Sequence, residues 1–580
     1  MKNVLLIGIN AKYIHSNPAI YSLHAYAGER ILQEWKPYLQ LAEYTINQNM
    51  ETILADIYGR KPDVAAFSCY IWNWNIVQEL LVELPKVLPD IEIWLGGPEV
   101  SFHGEKIIRK YPGVKGIMIG EGEKTFTELF TYYQTKEPEL SGIKGLLLPD
   151  GYTGDRALTD INEVPFFYDD LEKFKNRIIY YESQRGCPFR CAYCLSSIDK
   201  KVRIRDLDTV KKHLQFFLDN RVEQVKFIDR TFNCNAKNAW EIWNYLQEHD
   251  NGVTNFHFEI AADLLTEEQL DVMKKMRPGL IQLEIGVQTT NEETLHAINR
   301  YMSMEHLSQM VARIKSFGNI HQHLDLIAGL PYEDYESFGH SFDDVYGMHP
   351  EQLQLGFLKV LKGSPMEERA QQYEIVYQDR PPYEVLRTKW LSYEDVLKLK
   401  GVEEMVELYY NSLQFVHAIP VMEKCFASAF AMYEALAAYY RRKGYFVQTP
   451  ARSYRYQVLL EFMDEVDISK HDLFVECLTF DMYLRENLKS RPGFMTDVSE
   501  KQDVKEFYRQ EAQNHAYLQG YEGYNGVQLA KMTHMEHFSY EVWGFGAKLD
   551  KPVSVLFDYK HRNPLTYDAK FFVIKEDAYE

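Results

Sequence analysis

The sequence predicts an α/β protein in three parts: an N-terminal doubly wound parallel sheet, a partial (β/α)6 barrel, and a mostly helical C-terminal domain. Three observations predict it. Short apolar runs alternate with amphipathic helical stretches through residues 1–140, the pattern of buried parallel strands separated by helices. The alternation resumes at 176–360 with six strand-like runs. Beyond 361 the apolar spacing becomes mostly helical. At 580 residues the chain is too long for one core, so several domains are expected.

In the first part the strand candidates are "NVLLIGI" (3–9), "LQLAEYTI" (39–46), "DVAAFSCY" (63–70), "IEIWLGG" (91–97) and "GIMIGEGE" (116–123). Between them lie amphipathic stretches such as "NIVQELLVELPKVL" (75–88). Such a sheet binds ligands at the carboxyl ends of its strands. Gly96 and Gly97 of "GGPEVS" fall there, as do Gly120 and Gly122 of "GEGE". Glycine lets a backbone approach a bulky ligand closely, and it also suits a tight turn. Two glycine loops at successive strand ends favour a ligand. Residues 141–175 carry turn residues and Pro165 with little periodicity, and read as a linker.

In the second part the candidates are "IIYYESQRG" (178–186), "QVKFIDR" (224–230), "NFHFEIAAD" (255–263), "LIQLEIGVQ" (280–288), "HQHLDLIAG" (321–329) and "QLQLGFLK" (352–359). A barrel of this kind places its site at the C-terminal ends of the strands. In 361–580, "VEEMVELYYNSLQFVHAI" and "CFASAFAMYEALAAYYRRKGY" have helix-period apolar faces and no catalytic motif. This part is expected to cap the barrel and shape the substrate pocket.

Composition sets limits. Hydrophobic residues make up 46% and charged residues 26%, ordinary for a soluble protein. No apolar run approaches the roughly 20 residues that span a bilayer. The opening "MKNVLLIGIN" reads as a first strand and not a signal peptide, so a cytoplasmic location is expected. A net charge of −20 argues against indiscriminate binding to nucleic acid or anionic membrane and leaves a local basic site open. Arg185, Arg190, Lys200, Lys201, Arg203 and Arg205 form one basic cluster. They suit an anionic ligand, or equally a solvated face.

Three of the seven cysteines sit in "RGCPFRCAYCLSS". Cys187, Cys191 and Cys194 form C-x3-C-x2-C directly after the first barrel strand. A structural zinc site wants four ligands in paired C-x2-C units, and a ferredoxin cluster wants a fourth cysteine. Three thiolates on one loop leave one iron of a four-iron cluster without a protein ligand, an open position for a cofactor or substrate. Cys234 is the nearest other thiol. Cys69, Cys234, Cys425 and Cys477 are expected to lie outside the cluster.

On these residues the chain resembles the radical S-adenosylmethionine superfamily, whose hallmark is C-x3-C-x2-C with an aromatic before the last cysteine, here Tyr193. The resemblance implies a 4Fe-4S cluster whose open iron chelates S-adenosylmethionine, which is cleaved to a 5′-deoxyadenosyl radical. It places Phe189 and Tyr193 at the aromatic positions of the cysteine loop. "LEIGVQTTNEETLHAINR" (283–300) resembles the family's fourth-strand segment. That likeness puts Glu284 and Gln288 near the ribose or substrate and Arg300 near the cofactor's carboxylate. "DLIAGLPYED" (325–334) resembles the fifth-strand segment, whose backbone, here at Gly329, approaches adenine. "VKFIDRTFN" (225–233) resembles the cobalamin-type subgroup, and leaves the ligand of the methionine amino group unassigned.

The N-terminal part likewise resembles the cobalamin-binding domain of that subgroup, with "SCYIWN", "GGPEVS" and "GEGE" as the loops around the corrin. It lacks Asp-x-His-x-x-Gly, by which many such domains supply a histidine to cobalt. His15, in "NAKYIHSNPAI", is read as a hydrogen-bonding residue rather than a cobalt ligand. The C-terminal part resembles the uncharacterised extension of a bacterial branch of the family.

The leading reading is a cobalamin-dependent radical enzyme that methylates an unactivated carbon of a small-molecule or peptide substrate. An electron donor such as flavodoxin or ferredoxin is implied. Alternatives are a rearrangement or cyclisation without methyl transfer, an RNA-modifying enzyme with a vestigial first domain, and a non-catalytic iron–sulfur scaffold. No residue is assigned a catalytic role from sequence.

Overall fold

A computed structural model of the protein describes residues 1–495, 501–544 and 546–574. The N-terminal sheet has seven strands: β1 (Val4–Asn10), β2 (Leu39–Thr45), β3 (Val64–Ser68), β4 (Glu92–Gly96), β5 (Val114–Met118), β6 (Leu146–Leu148) and β7 (Gly151–Tyr152). Their order is β2-β1-β3-β4-β5-β6-β7. β1 to β5 pair in parallel; β6 and β7 add antiparallel at the edge. All seven residues of β1 are buried, as a central parallel strand covered on both faces requires. The order reverses beside β1, the crevice where such sheets bind ligands.

Part of the stretch read as a linker therefore belongs to structure. Leu146–Leu148 and Gly151–Tyr152 are the strands that extend the sheet. They are too short to register as periodic patterns.

Next come β8 (Ile179–Tyr181) and the short pair β9 (Gln184–Arg185) and β10 (Arg203–Ile204). Then follow β11 (Gln224–Phe227), β12 (Asn255–Ile260), β13 (Ile281–Gln288), β14 (His321–Ala328) and β15 (Gln352–Phe357). β8, β11, β12, β13, β14 and β15 form one all-parallel sheet in chain order, the partial barrel that the six runs predicted. Connecting helices cover its outside. The helix Leu207–Asp219 is one: Asp206 caps it by accepting from the Thr209 N–H, and Val210, Leu214, Phe217 and Leu218 are its buried face.

The C-terminal part is mostly helical, from Tyr393 to Arg485, as expected. It also holds an antiparallel sheet of β18 (Thr533–Tyr540), β19 (Lys548–Arg562) and β20 (Ala569–Val573), and a small hairpin of β16 (Val376–Tyr377) and β17 (Val385–Arg387). The middle of β19, Val555–Asp558, is buried. The helical periods upstream hid these strands from the sequence reading.

Candidate functional site

The cysteine loop is built by its backbone. Gly186 has φ 96°, and a Cβ there would stand 2.6 Å from the Lys201 carbonyl oxygen, so glycine is required immediately before Cys187. The β9–β10 ladder brackets the loop. The Cys187 N–H donates to Asp199 O (3.1 Å), Ala192 N–H to Ile298 O (2.8 Å) and Met366 N–H to Ala192 O (2.9 Å). Beneath it, Asp229 accepts from the backbone N–H groups of Ser183 (2.9 Å) and Gln184 (3.1 Å) and from the Ser183 hydroxyl. Burial pushes the Asp229 carboxyl up to about 7.

Cys187, Cys191 and Cys194 line one cavity of about 190 Å³. Phe189, Tyr193, Glu284, Gln288 and Arg300 line it too, so eight of the residues singled out from sequence converge there. Arg300 donates to Gly286 O and lies 3.8 Å from Cys191 Sγ. Gln288 takes φ 75° at the end of β13, which turns its amide back over Gly286. Burial opposes ionisation of Glu284, but His257 and Lys226 outweigh it and hold its carboxyl below the usual range. Lys226 Nζ is 2.9 Å from Glu284 Oε2.

Gly329 lines neither this cavity nor the next. It has φ 88°, and its missing Cβ would stand 2.7 Å from Val385 Cγ1 on the hairpin after the barrel. Cys234 is also absent from the cavity lining; Gln184 Nε2 donates to its sulfur at 3.5 Å. Cys69 and Cys477 are buried elsewhere, and Cys425 lies against Val421 O.

A second cavity, about 650 Å³, opens at the carboxyl edge of the N-terminal sheet. Gly96, Gly97, Gly120 and Gly122 all line it. The four glycines differ. Gly97, at φ 104°, packs against Cys69, whose carbonyl oxygen would be 2.5 Å from a Cβ. Gly120, at φ 80°, faces open space and Gly122 begins the helix Gly122–Thr135. His15 is not in the lining; its Nδ1 is 2.6 Å from the Tyr180 hydroxyl.

The basic cluster does not form one face. Arg185 reaches Glu121, Glu123 and Glu182, and Arg203 reaches Glu121 and Asp199. Arg205 is buried and donates to the Val164 carbonyl. The Arg185 and Arg203 pairs join the two domains beside the larger cavity, and Arg205 ties the connecting stretch to the barrel. Arg190, Lys200 and Lys201 are exposed.

Sequence reading missed several lining residues. Arg230, Glu259 and Asp325 complete the cysteine cavity. Val164 to Tyr168, from the stretch read as a linker, and His213 line the larger one. The signal for Glu259 and Asp325 was available as polar residues at alternate positions of buried strands. Nothing local marked the others.

The comparisons agree with this architecture. Residues 181–345 match the radical SAM superfamily, and residues 4–130 match the B12 binding domain. Residues 371–557 match a family described as a protein of unknown function (DUF4080). The chain thus carries a radical SAM match with a B12 binding domain match in front and a DUF4080 match behind. Those domains imply a 4Fe-4S cluster, S-adenosylmethionine and cobalamin, and three cysteine thiols on one cavity are the donor set of a cluster with one open iron. Among curated proteins, the cobalamin-dependent radical SAM methyltransferase TokK of Streptomyces tokunonensis is 24% identical over 55% of this chain and 51% of its own. The chain spans about half the length of the curated relatives it matches. The structure of the methyltransferase TsrM from Kitasatospora setae, with cobalamin and a 4Fe-4S cluster bound, superposes with TM-score 0.54 at 17% identity, over 66% of this chain and 79% of TsrM. That of the cobalamin-dependent S-adenosylmethionine radical enzyme OxsB with aqua-cobalamin does so at 0.55 and 15%, over 92% and 78%. Among the described residues, no helix is long and apolar enough to cross a membrane.

Proposed function

We propose that the protein is a cobalamin-dependent radical S-adenosylmethionine enzyme that transfers a methyl group to an unactivated carbon of a small-molecule or peptide substrate. One observation carries the reading. The two cavities share the cysteine loop as a wall. Arg185, Leu195, Ile198 and Asp199 face the larger cavity, while Cys187, Cys191, Cys194 and Ser196 face the smaller. Substrate held at that wall is near both, and proximity of this kind lowers a barrier by roughly 7–11 kcal/mol when the geometry is good.

When bound, the cluster and S-adenosylmethionine supply radical chemistry, and cobalamin supplies a carrier for methyl. The chain's own residues do the rest. The three cysteines hold three irons. Arg300 would face the carboxylate of S-adenosylmethionine, and Glu284 and Gln288 would face its ribose or the substrate, since all three line the cysteine cavity. Gly96, Gly97, Gly120 and Gly122 admit the corrin edge. The segment 358–385 packs Leu358, Val360, Met366 and Val385 against Ala192 and Ile298, and keeps water from the loop.

The test is anaerobic reconstitution with iron, sulfide and hydroxocobalamin, then incubation of cell extract with S-adenosylmethionine, a reductant and the enzyme. Mass spectrometry is expected to find a product heavier by one methylene unit. A product of unchanged mass replaces methyl transfer by rearrangement or cyclisation. Failure to retain hydroxocobalamin through gel filtration overturns the cobalamin reading.

A further inference from the structure

We propose that a divalent first-row transition ion, zinc foremost, is bound inside the barrel by His257, Glu284, His323 and Asp325. The inference does not depend on cobalamin or on methyl transfer. Alternation along β12, β13 and β14 places these side chains on the lumen face, and the register pairs Glu284 with His323 across two adjacent strands. Ligand atoms of Glu284, His323 and Asp325 all lie within 4.8 Å of one another.

The contacts between them have an unusual form. His257 Nε2 is 3.0 Å from Glu284 Oε2, and His323 Nε2 is 3.0 Å from Asp325 Oδ1. Yet His257 Nε2, His323 Nε2 and Asp325 Oδ1 are buried atoms with no hydrogen-bond partner. Each pair is close but misaligned for a shared proton. Both imidazoles are only 7% exposed. Unpaired buried polar atoms are costly, and these three stand around the Glu284 carboxylate and call for a common partner. Donors that meet at a metal have this arrangement: they flank a point off the line joining them. In a tetrahedral zinc site with bonds of about 2.0–2.1 Å, neighbouring donors stand about 3.3 Å apart.

Lys226 is the competitor, because its ammonium touches the same Glu284 oxygen. Two imidazoles and two carboxylates suit zinc, iron or manganese rather than calcium. Glu284, His323 and Asp325 supply three donors within reach of one point, and His257 stands beside Glu284 to complete the shell. Since Glu284 and Asp325 also line the cysteine cavity, the ion ties three strands together at that cavity's floor and orients the free oxygen of Glu284.

The test measures zinc beside iron. Holoenzyme purified without chelators is incubated with zinc chloride, gel-filtered and analysed by elemental mass spectrometry. It is expected to keep about one zinc per chain in addition to the cluster iron. The double variant His257→Ala/His323→Ala is expected to lose zinc at least about tenfold while keeping its iron, which also reports a folded cysteine loop. Lys226→Met preserves all four donors and is expected to hold zinc at least as tightly against a chromophoric chelator. Holoenzyme that keeps less than about a tenth of an equivalent overturns the proposal, as does a double variant that keeps as much zinc as the parent. Zinc that appears only in Lys226→Met also overturns it, because the lysine then fills the site.

Discussion

Lys362 Nζ lies 2.6 Å from Glu99 Oε1, and this ion pair ties the "GGPEVS" loop of the N-terminal sheet to the chain that leaves the barrel. The Tyr383 hydroxyl donates to the same carboxylate. Glu99 is 6% exposed, and Phe102 beside it packs on Gly363. The loop that faces the larger cavity is thus held by residues that also roof the barrel.

Removing that carboxylate leaves a lysine and a tyrosine hydroxyl without their buried partner. Glu99→Ala is expected to cost about 3 kcal/mol. Because the chain has several domains, the measurement is limited proteolysis together with corrinoid retention on gel filtration. Both are expected to worsen. Unchanged cleavage and retention would show that the domains do not rely on this contact.

Iron content separates the cysteines. Replacing Cys187, Cys191 and Cys194 with Ala is expected to remove the cluster and abolish 5′-deoxyadenosine formation. Cys234→Ala is expected to keep full iron, since Gln184 occupies its sulfur and the cavity lining excludes it. Loss of about a quarter of the iron in Cys234→Ala would make it a fourth ligand.

Arg300 is expected to act on S-adenosylmethionine rather than on cluster assembly. Arg300→Met should keep its iron while the KM for S-adenosylmethionine rises about tenfold or more, the cost of losing a charge-assisted contact of about 1.5–3 kcal/mol. Steady-state 5′-deoxyadenosine formation measures it. Equal loss of iron and activity would place Arg300 in the fold instead.

Glu333 gives a pH signature. Burial raises its carboxyl to about 7, and the hydroxyls of Thr289 (2.6 Å) and Ser341 (2.8 Å) donate to one of its oxygens while the other has no partner. The unfolded chain has a glutamate near 4.3. The folded value is the higher one, so this group's stabilisation is fully present below about pH 4 and is lost as pH rises through about 7. Glu333→Gln removes that dependence. Its melting temperature relative to the parent is expected to improve between pH 5 and pH 8; a difference constant with pH would refute the assignment.

Much of this was legible in the chain itself. Uninterrupted apolar runs such as Val4–Asn10 mark strands buried on both faces, and their alternation with amphipathic helices dictates a parallel sheet, since parallel neighbours need a crossover. The spacing of Cys187, Cys191 and Cys194 is local, so one loop holds all three. Glu284, Gln288 and Arg300 stood out because they lie in one continuous segment, and all three line the cysteine cavity. Short edge strands such as Gly151–Tyr152 were not legible, for two residues carry no period.

Other features depend on residues far apart in sequence. Val385 lies 56 positions beyond Gly329, yet it occupies the space that glycine leaves. Arg185 and Arg203 look like part of a basic surface as a string and become an ion network once Glu121 and Glu123 fold against them. Glu284, His323 and Asp325 meet only because two strands lie side by side around one lumen. Local pattern sets which elements form and which residues share a loop, because backbone hydrogen bonding and side-chain period act over a few residues. Which charges neutralise one another, and which donors converge on one point, is decided by packing between elements, where burial makes every unpaired polar group costly.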